Sequence, residues 1–156
     1  MRGIVLANTG SPDAPEPQSV RTYLSAFLAD PRICPMEPRL WHLILHAFIL
    51  PKRCVSSAEK YRLIWTDEGS PLSVHMASLA AGLEAAAGEG VRVCHAMSYG
   101  APSMAHALAE LRDEGCADIT VVPLYPQSAH STTGVVSDQL ASALAELAWQ
   151  PRVRVI

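Results

Sequence analysis

The sequence is poor in charge and has no excess of basic residues. Its 12 Lys and Arg residues stand against 15 Asp and Glu residues, for a formal net charge of −3. A nucleic-acid-binding surface usually needs a basic excess, so we expect no nucleic-acid partner. The longest apolar run, Leu43 to Leu50, includes a histidine and falls well short of the roughly 20 residues that span a bilayer. The apolar stretch Ile4–Ala7 is too short for a signal peptide, and we therefore expect a cytoplasmic protein.

Cysteine is scarce and scattered. The four cysteines, Cys34, Cys54, Cys94 and Cys116, form no CxxC pair, so this chain alone is not expected to build a zinc or iron–sulfur cage. We interpret them as free thiols that behave as small buried apolar side chains, with Cys94 in or near the core.

The common phosphate-binding and hydrolase motifs are missing. Neither GxGxxG nor GxxxxGK[ST] occurs, which removes the usual sequence support for dinucleotide or nucleoside triphosphate binding. No GxSxG occurs either, which argues against an α/β-hydrolase.

Short apolar runs alternate with helical patterns along the chain. Half of the 156 residues are apolar, enough for the core of a single domain over residues 1–156. The alternation predicts a three-layer αβα, Rossmann-like domain with a four-stranded parallel sheet. The predicted strands are Gly3–Asn8, Val91–Ser98, Ile119–Leu124 and Arg152–Ile156. Because the chain stops within an apolar strand, we expect it to correspond to part of a longer protein.

Apolar residues at helical spacing predict the helices between these strands. The predicted helical segments cover Val20–Leu28, Leu40–Leu50, Ser57–Trp65, Leu72–Ala87, Met104–Leu111 and Val136–Leu147. The second segment is apolar on nearly every side and is expected to end at Pro51. It is either a buried helix or a helix with an exposed apolar face. Trp41, Phe48 and Leu50 could form an exposed lip for a flat ligand, although core packing is the more frequent role of such residues.

Ligands of open parallel sheets bind beyond the carboxyl ends of the strands. That rule selects the loops 8–12, 99–103 and 125–134, of which the last is richest in functional side chains. Hydroxyls such as those of Ser131 and Thr132 could hold an anion at the start of the last helix, or could simply cap that helix. His42 and His46 share a helix face, a spacing that suits a metal, but no third ligand is visible nearby.

Four stretches taken together resemble the N-terminal half of ferrochelatase. They are Val5-Leu6-Ala7-Asn8-Thr9-Gly10-Ser11-Pro12, Tyr61-Arg62-Leu63-Ile64-Trp65-Thr66-Asp67-Glu68-Gly69-Ser70-Pro71-Leu72, Ala96-Met97-Ser98-Tyr99-Gly100, and Pro123-Leu124-Tyr125-Pro126-Gln127-Ser128-Ala129-His130-Ser131-Thr132-Thr133-Gly134. The resemblance covers essentially the whole chain. The second and fourth stretches are specific in combination.

The resemblance implies two similar parallel-sheet domains with a porphyrin between them, into which ferrous iron is inserted as the substrate metal in haem biosynthesis. This chain would form one wall of the cleft, and a missing C-terminal domain or second subunit would form the other. The segment from Arg39 to Leu50 matches the family's apolar lip, so peripheral membrane contact through residues 40–50 is expected. The implied porphyrin-binding residues are Thr9, Lys60, Tyr61, Ser70 and Tyr125, to which the hydroxyls of Ser131 and Thr132 are added.

Four positions depart from the family pattern. Thr9 stands where some members have a tyrosine axial to the iron, so axial ligation is not expected here. Ser98 stands where many members carry an arginine, and Ser128 where an aromatic is usual, which removes one cation and weakens the pocket wall. His130 stands where some members place a cysteine ligand of an iron–sulfur cluster. No cluster is therefore expected, and His130 is left as the one metal candidate.

The resemblance also places the family's catalytic histidine and its acidic partner beyond residue 156. We therefore expect no catalytic residue and no bound cofactor in this chain, and no activity of the chain alone. Two alternatives stay open: a tetrapyrrole- or haem-binding module without chemistry, and a small homodimeric chelatase that uses His95 or His130. The sequence does not decide between protoporphyrin and coproporphyrin.

Overall fold

A computed structural model describes residues 1–156. Its secondary structure consists of β1 (Arg2–Asn8), α1 (Pro17–Ala29), α2 (Pro38–Ile44), a π-helical turn (Leu45–Ile49), α3 (Leu50–Ile64), α4 (Pro71–Ala87), β2 (Val91–Met97), α5 (Met104–Asp113), β3 (Asp118–Pro123), a second π-helical turn (His130–Gly134), α6 (Val135–Glu146) and β4 (Arg152–Val155). The chain divides into two compact units, one of residues 1–10 with 75–156 and one of residues 11–74.

The first unit contains a four-stranded sheet in the order β2-β1-β3-β4. All three strand pairs are parallel, and Val5 of the central strand β1 lies opposite Cys94 on one side and Val121 on the other. The predicted α/β fold with a four-stranded parallel sheet flanked by helices is confirmed. Each predicted strand agrees with the observed one to within a residue at either end.

The core of the first unit lies where α5 and α6 cover the sheet. Val5, Val121, Leu108 and Val136 are completely excluded from solvent in this cluster. Cys94 belongs to the same cluster, as predicted, and its Sγ lies 3.7 Å from the carbonyl oxygens of Ile4 and of Ala107. All four cysteines are free thiols, and three of them are buried, whereas Cys34 is partly exposed.

Ion pairs and a carboxylate cover the edge of this sheet. Arg92 on the edge strand β2 bridges Glu84 of α4 and Glu114 at the end of α5. The second oxygen of Glu84 accepts a hydrogen bond of 2.7 Å from the backbone N–H of Val93. This carboxylate therefore occupies a backbone donor that an open sheet edge would otherwise leave exposed.

The second unit is helical and has a smaller core. Its completely or largely buried residues are Val20, Leu24, Leu45, Leu50, Cys54 and Ala58. The indole N–H of Trp41 donates to the carbonyl oxygen of Leu28 at 2.7 Å, which fixes α2 against the end of α1. No helix of the structure has both the length and the apolar character needed to cross a bilayer.

The predicted helix boundary at Pro51 was wrong, and so was a separate helix over Ser57–Trp65. The π-helical turn Leu45–Ile49 precedes Pro51, and α3 then runs without interruption from Leu50 to Ile64. Pro51 therefore lies in the first turn of α3, a position where helices commonly carry proline. Ser57 lies inside α3.

Candidate functional site

The carboxyl ends of β1, β2 and β3 meet at one edge of the sheet. Pairing continues past the strand ends, because the N–H groups of Ser98 and Tyr99 donate to the carbonyl oxygens of Asn8 and Thr9, each at 2.8 Å. On the other side of β1, the N–H of Leu124 donates to the carbonyl oxygen of Ala7 at 2.8 Å. The loops that follow the three strands are therefore held at a common edge, as the sheet rule predicted.

Gly10 is required by this close approach. Its φ of +109° is one that side chains rarely adopt, and a Cβ at this position would collide with the carbonyl group of Tyr99, whose carbon would lie 2.8 Å away. The loop after β1 can therefore lie against the loop after β2 because residue 10 has no side chain.

Two of the predicted porphyrin-binding residues are in direct contact. The hydroxyl of Thr9 lies 3.2 Å from the phenol oxygen of Tyr125 and donates to it. The side-chain oxygen of Asn8 accepts the backbone N–H of Thr9 at 2.8 Å, which fixes the start of this loop. Both Thr9 and Tyr125 are half-buried, so the pair presents two polar groups on a partly apolar surface.

Ser98 adds a buried hydroxyl to the same edge. Its Oγ is buried and has no hydrogen-bond partner, while its carbonyl oxygen accepts the side-chain amide of Gln139 at 2.7 Å. A buried hydroxyl without a partner is costly, so a polar ligand atom that reached Ser98 would gain a hydrogen bond at little cost. The side chain is neutral, in keeping with the loss of an arginine that the resemblance implied.

The predicted residues Ser131 and Thr132 lie in the π-helical turn ahead of α6, with His130 exposed at its start. The hydroxyl of Thr132 accepts the backbone N–H of Ala129 at 3.0 Å and lies 3.2 Å from that residue's carbonyl oxygen. Thr132 therefore closes the turn before the helix, which is the local capping role that the sequence left open beside anion binding.

The other three predicted porphyrin-binding residues belong to the helical unit. Lys60 is exposed on α3, while its neighbour Tyr61 packs on the core of this unit, and Ser70 is buried just before α4. Burial raises the pKa of the Tyr61 phenol, and a side-chain hydrogen bond with Tyr23 partly offsets that rise. Tyr61 is thus a neutral donor whose ring is fixed by packing.

A basic surface on α3 was missed by the sequence analysis. Lys52, Arg53 and Lys60 line a depression of about 560 Å³ together with Phe48, whose side chain is 70% exposed. The spacing of Arg53 and Lys60, seven residues or two helical turns, could have revealed this face. The predicted helix end at Pro51 explains why this face was missed. That prediction assigned Phe48 and Lys60 to two separate helices and Lys52 to neither.

A comparison with protein families decides the class of this protein. The ferrochelatase family model matches residues 1–156, the whole chain. The chain belongs to the ferrochelatase family. It is 47% identical over 158 residues to a ferrochelatase of Aromatoleum aromaticum, and 44% identical over 156 residues to one of Dechloromonas aromatica. These matches cover 99% and 98% of this chain but 43% and 42% of the two relatives, so the chain spans less than half of their length.

The segment Arg39–Leu50 of this ferrochelatase-family chain is only partly exposed. Leu40, Leu43 and Phe48 are 51%, 62% and 70% exposed, as expected for an apolar lip. Two residues that the sequence analysis had assigned to the lip belong to the core instead. Leu50 is fully buried, and Trp41 packs against the same cluster and donates its indole N–H to the carbonyl oxygen of Leu28.

The histidines of the chain are spread over several elements. His42 and His46 do share a face, with ring centroids 4.2 Å apart. His95 lies on the edge strand, where burial lowers its pKa and the Glu110 carboxylate opposes that shift. No three His, Cys, Asp or Glu side chains are placed to hold a metal ion together.

Proposed function

We propose that this chain forms one wall of a porphyrin site at which ferrous iron, the substrate metal, is inserted during haem biosynthesis. The observation that carries the proposal is the contact between Thr9 and Tyr125 at the carboxyl edge of the sheet, in a chain matched over its whole length by the ferrochelatase family. Ligands of open parallel sheets bind at this edge.

The chemistry of the exposed groups supports a porphyrin as the ligand. A porphyrin is a flat apolar ring with carboxylate side chains, so its site needs apolar contacts, a few hydroxyl donors and cations. Thr9 and Tyr125 offer two half-buried hydroxyls at the sheet edge.

Iron insertion also requires a base, since the two pyrrole N–H protons must leave the macrocycle. Neither Thr9 nor Tyr125 serves as a strong base at neutral pH, so this wall orients the ring rather than deprotonating it. In the proposal, the base and its acidic partner come from a second domain or subunit. The contribution of this chain is positioning, which can itself lower a barrier by several kcal/mol, up to about 7–11.

A chimera tests the proposal. This chain would replace the matching 43% of the Aromatoleum aromaticum ferrochelatase, and insertion of ferrous iron would be followed anaerobically by the Soret band, with protoporphyrin and coproporphyrin in turn. We expect turnover, and we expect Tyr125→Phe and Thr9→Val to raise KM for the porphyrin. Asp113→Asn, an exposed change at the end of α5, is the matched control and should leave KM unchanged.

Two results would contradict the proposed function. A folded chimera that binds no porphyrin would remove the site altogether. A folded chimera that binds porphyrin tightly but inserts no iron would favour the alternative of a tetrapyrrole-binding module. Far-ultraviolet circular dichroism and a urea transition establish folding in either case.

A further inference from the structure

A cavity of about 300 Å³ lies at the carboxyl end of β2, between the start of α5 and one face of α6. All of the residues that line it belong to the first unit. Its wall includes Ser98 after β2, Met104 and Ala105 in the first turn of α5, and Asp138 and Glu146 on α6. The groups on the two sides of this cavity differ in the charge that they attract.

The first turn of α5 contributes two backbone donors that no protein acceptor uses. Ser103 caps this helix, because its hydroxyl accepts the N–H of His106 at 3.2 Å and its carbonyl oxygen accepts the N–H of Ala107 at 3.1 Å. The N–H groups of Met104 and Ala105 have no acceptor in the structure. Met104 is only 4% exposed, so its donor has little access to bulk water. Unused N–H groups and the helix dipole together favour an anion at this position.

A buried hydroxyl faces the same cavity from the end of β2. The Oγ of Ser98 is buried and has no hydrogen-bond partner. Cys94 and Ala96 belong to the core that α5 and α6 cover, and the N–H of Ser98 continues the pairing with β1 by donating to Asn8. Side chains alternate along a strand, so the side chain of Ser98 lies on that same face. Rotation about its single χ1 torsion turns the hydroxyl toward a ligand and gives a costly buried donor its acceptor.

Carboxylates form the opposite side of the cavity. Asp138 and Glu146 both lie on α6, and Glu146 has no ion-pair partner in the structure. Lysine and arginine are absent from the cavity wall. A simple anion is therefore repelled by the carboxylates, and a simple cation meets the positive end of α5. Gln139 fixes α6 against this edge of the sheet by donating to the carbonyl oxygen of Ser98 at 2.7 Å. A molecule that carries both charges satisfies both sides.

We propose that this cavity binds a small amino acid in its zwitterionic form. The ligand carboxylate accepts the N–H groups of Met104 and Ala105 together with the hydroxyl of Ser98. The ligand ammonium group donates to Glu146, and Asp138 adds negative potential on the same side. Helix N-termini commonly bind carboxylates, and the volume of the cavity is at the lower end of the range for small-molecule sites. This proposal does not rest on the porphyrin site.

Titration of the isotope-labelled 156-residue chain with simple amino acids tests the proposal. Glycine, β-alanine, γ-aminobutyrate and δ-aminovalerate carry the same two charges at increasing separation, whereas acetate and methylamine carry one charge each. Amide shifts in nuclear magnetic resonance locate the ligand, and calorimetry gives its affinity and stoichiometry. We expect one ligand per chain, with the largest shifts at the amides of Met104 and Ala105. The preferred amino acid should bind at least tenfold more tightly than acetate or methylamine.

Variants test the two sides of the cavity separately. Glu146→Gln should weaken binding of the preferred amino acid at least tenfold and should not weaken binding of acetate. Ser98→Ala should weaken both several-fold, because it removes a donor to the carboxylate. Glu89→Gln and Ser56→Ala, exposed changes away from the cavity, are the matched controls and should leave both affinities unchanged. Circular dichroism establishes folding, and Ser98→Gly replaces Ser98→Ala where the latter fails to fold.

The proposal is wrong if the folded chain binds none of the four amino acids at millimolar concentration. It is also wrong if acetate or methylamine binds as tightly as the best of them. Unchanged affinity in Glu146→Gln would overturn the placement of the ammonium group, and shifts confined to amides outside α5 and the end of β2 would overturn that of the carboxylate. None of these readouts involves porphyrin, so failure here is distinguishable from failure of the proposed function.

Discussion

The hydroxyl of Thr9 donates to the phenol oxygen of Tyr125 across 3.2 Å, although 116 residues separate them in the chain. Thr9 follows β1 and Tyr125 follows β3, and these strands are neighbours in the sheet. Parallel pairing places both residues at the same edge, because parallel strands end on the same side. The contact therefore links the topology of the sheet directly to the proposed porphyrin site.

We predict that Thr9 and Tyr125 are energetically coupled. Thr9→Val and Tyr125→Phe each remove one partner of a half-buried hydrogen bond, so a double-mutant cycle should give a coupling of about 0.5–1.5 kcal/mol in the free energy of unfolding. Urea denaturation of the two single variants and the double variant measures it. Strictly additive effects would mean that the hydroxyls do not interact in solution.

Gly10→Ala should destabilise the chain strongly. A Cβ at this position would collide with the carbonyl group of Tyr99, and the backbone would be held at φ +109°. Positive φ costs about 1–2 kcal/mol and overpacking about 1–3 kcal/mol, so we expect a loss of about 2–5 kcal/mol in the free energy of unfolding.

Gly115→Ala is the matched control for this change. Gly115 also has a positive φ, of +77°, but a Cβ there would meet nothing within 4 Å. Gly115→Ala should lower the free energy of unfolding only by the backbone strain, about 1–2 kcal/mol. Equal losses for the two variants in urea denaturation would show that the close approach of Gly10 to Tyr99 is not tight in solution.

The strands, and the two loops that contain Thr9 and Tyr125, could be predicted because their signals are local. Ile4–Ala7 is a continuous run of apolar residues, and Ile119–Val122 is a run of β-branched residues, as is typical of buried strands. The turn residues that follow them mark the loops. Once the sheet was expected to be parallel, Thr9 and Tyr125 had to lie at one edge, although their direct contact depends on side-chain orientation that no pattern reports.

The helical unit could not be predicted as well, because its shape depends on one irregular turn. A proline usually ends a helix, and nothing around Pro51 signals that a π-helical turn would precede it. Leu50 is buried and Trp41 packs on the core, whereas Phe48 is exposed, and helical periodicity alone does not predict this difference. The basic face of α3 was missed for the same reason.

Stability should fall at alkaline pH because of Cys94. Burial raises the pKa of its thiol to about 12, and the Glu110 carboxylate adds to the rise. Unfolded cysteine ionises near its ordinary value, so above about pH 9 the unfolded chain releases a proton that the folded chain retains. Folding is therefore unaffected by this group below that pH and loses up to about 1.4 kcal/mol per pH unit between pH 9 and 12.

Urea transitions at several pH values between 7 and about 11 test this effect. The quantity to compare is the slope of the free energy of unfolding against pH, rather than its absolute value at one pH. Burial also raises the pKa of Cys116 and Tyr61, and both act in the same direction. In Cys94→Ala, the free energy of unfolding should therefore still decline with rising pH, but less steeply than in the wild type. Cys34→Ala, which removes a partly exposed thiol, should keep the wild-type slope. A wild-type slope in Cys94→Ala would contradict the prediction.

Phe48 and Leu45 should respond oppositely to truncation, although both lie in the same π-helical turn. Phe48 is 70% exposed and Leu45 is 1% exposed. Phe48→Ser should change the free energy of unfolding by less than about 0.5 kcal/mol, whereas Leu45→Ala should cost about 2–5 kcal/mol.

We further expect Phe48→Ser to lower co-sedimentation of the chain with anionic lipid vesicles. Equal vesicle binding by Phe48→Ser and wild type would rule out membrane contact through this side chain.

The last prediction concerns the chain by itself. We expect the isolated 156-residue chain to insert ferrous iron into porphyrin no faster than the uncatalysed reaction, even if it binds the ring through Thr9 and Tyr125. Loss of a positioned general base costs about 10²–10⁴-fold, and loss of the second wall removes the positioning of metal against macrocycle as well. An anaerobic assay with ferrous iron and both porphyrins, read from the Soret band, measures it. Turnover by the pure chain would contradict the prediction, and its loss in His95→Ala or His130→Ala would favour the homodimeric chelatase, the alternative that uses one of those histidines.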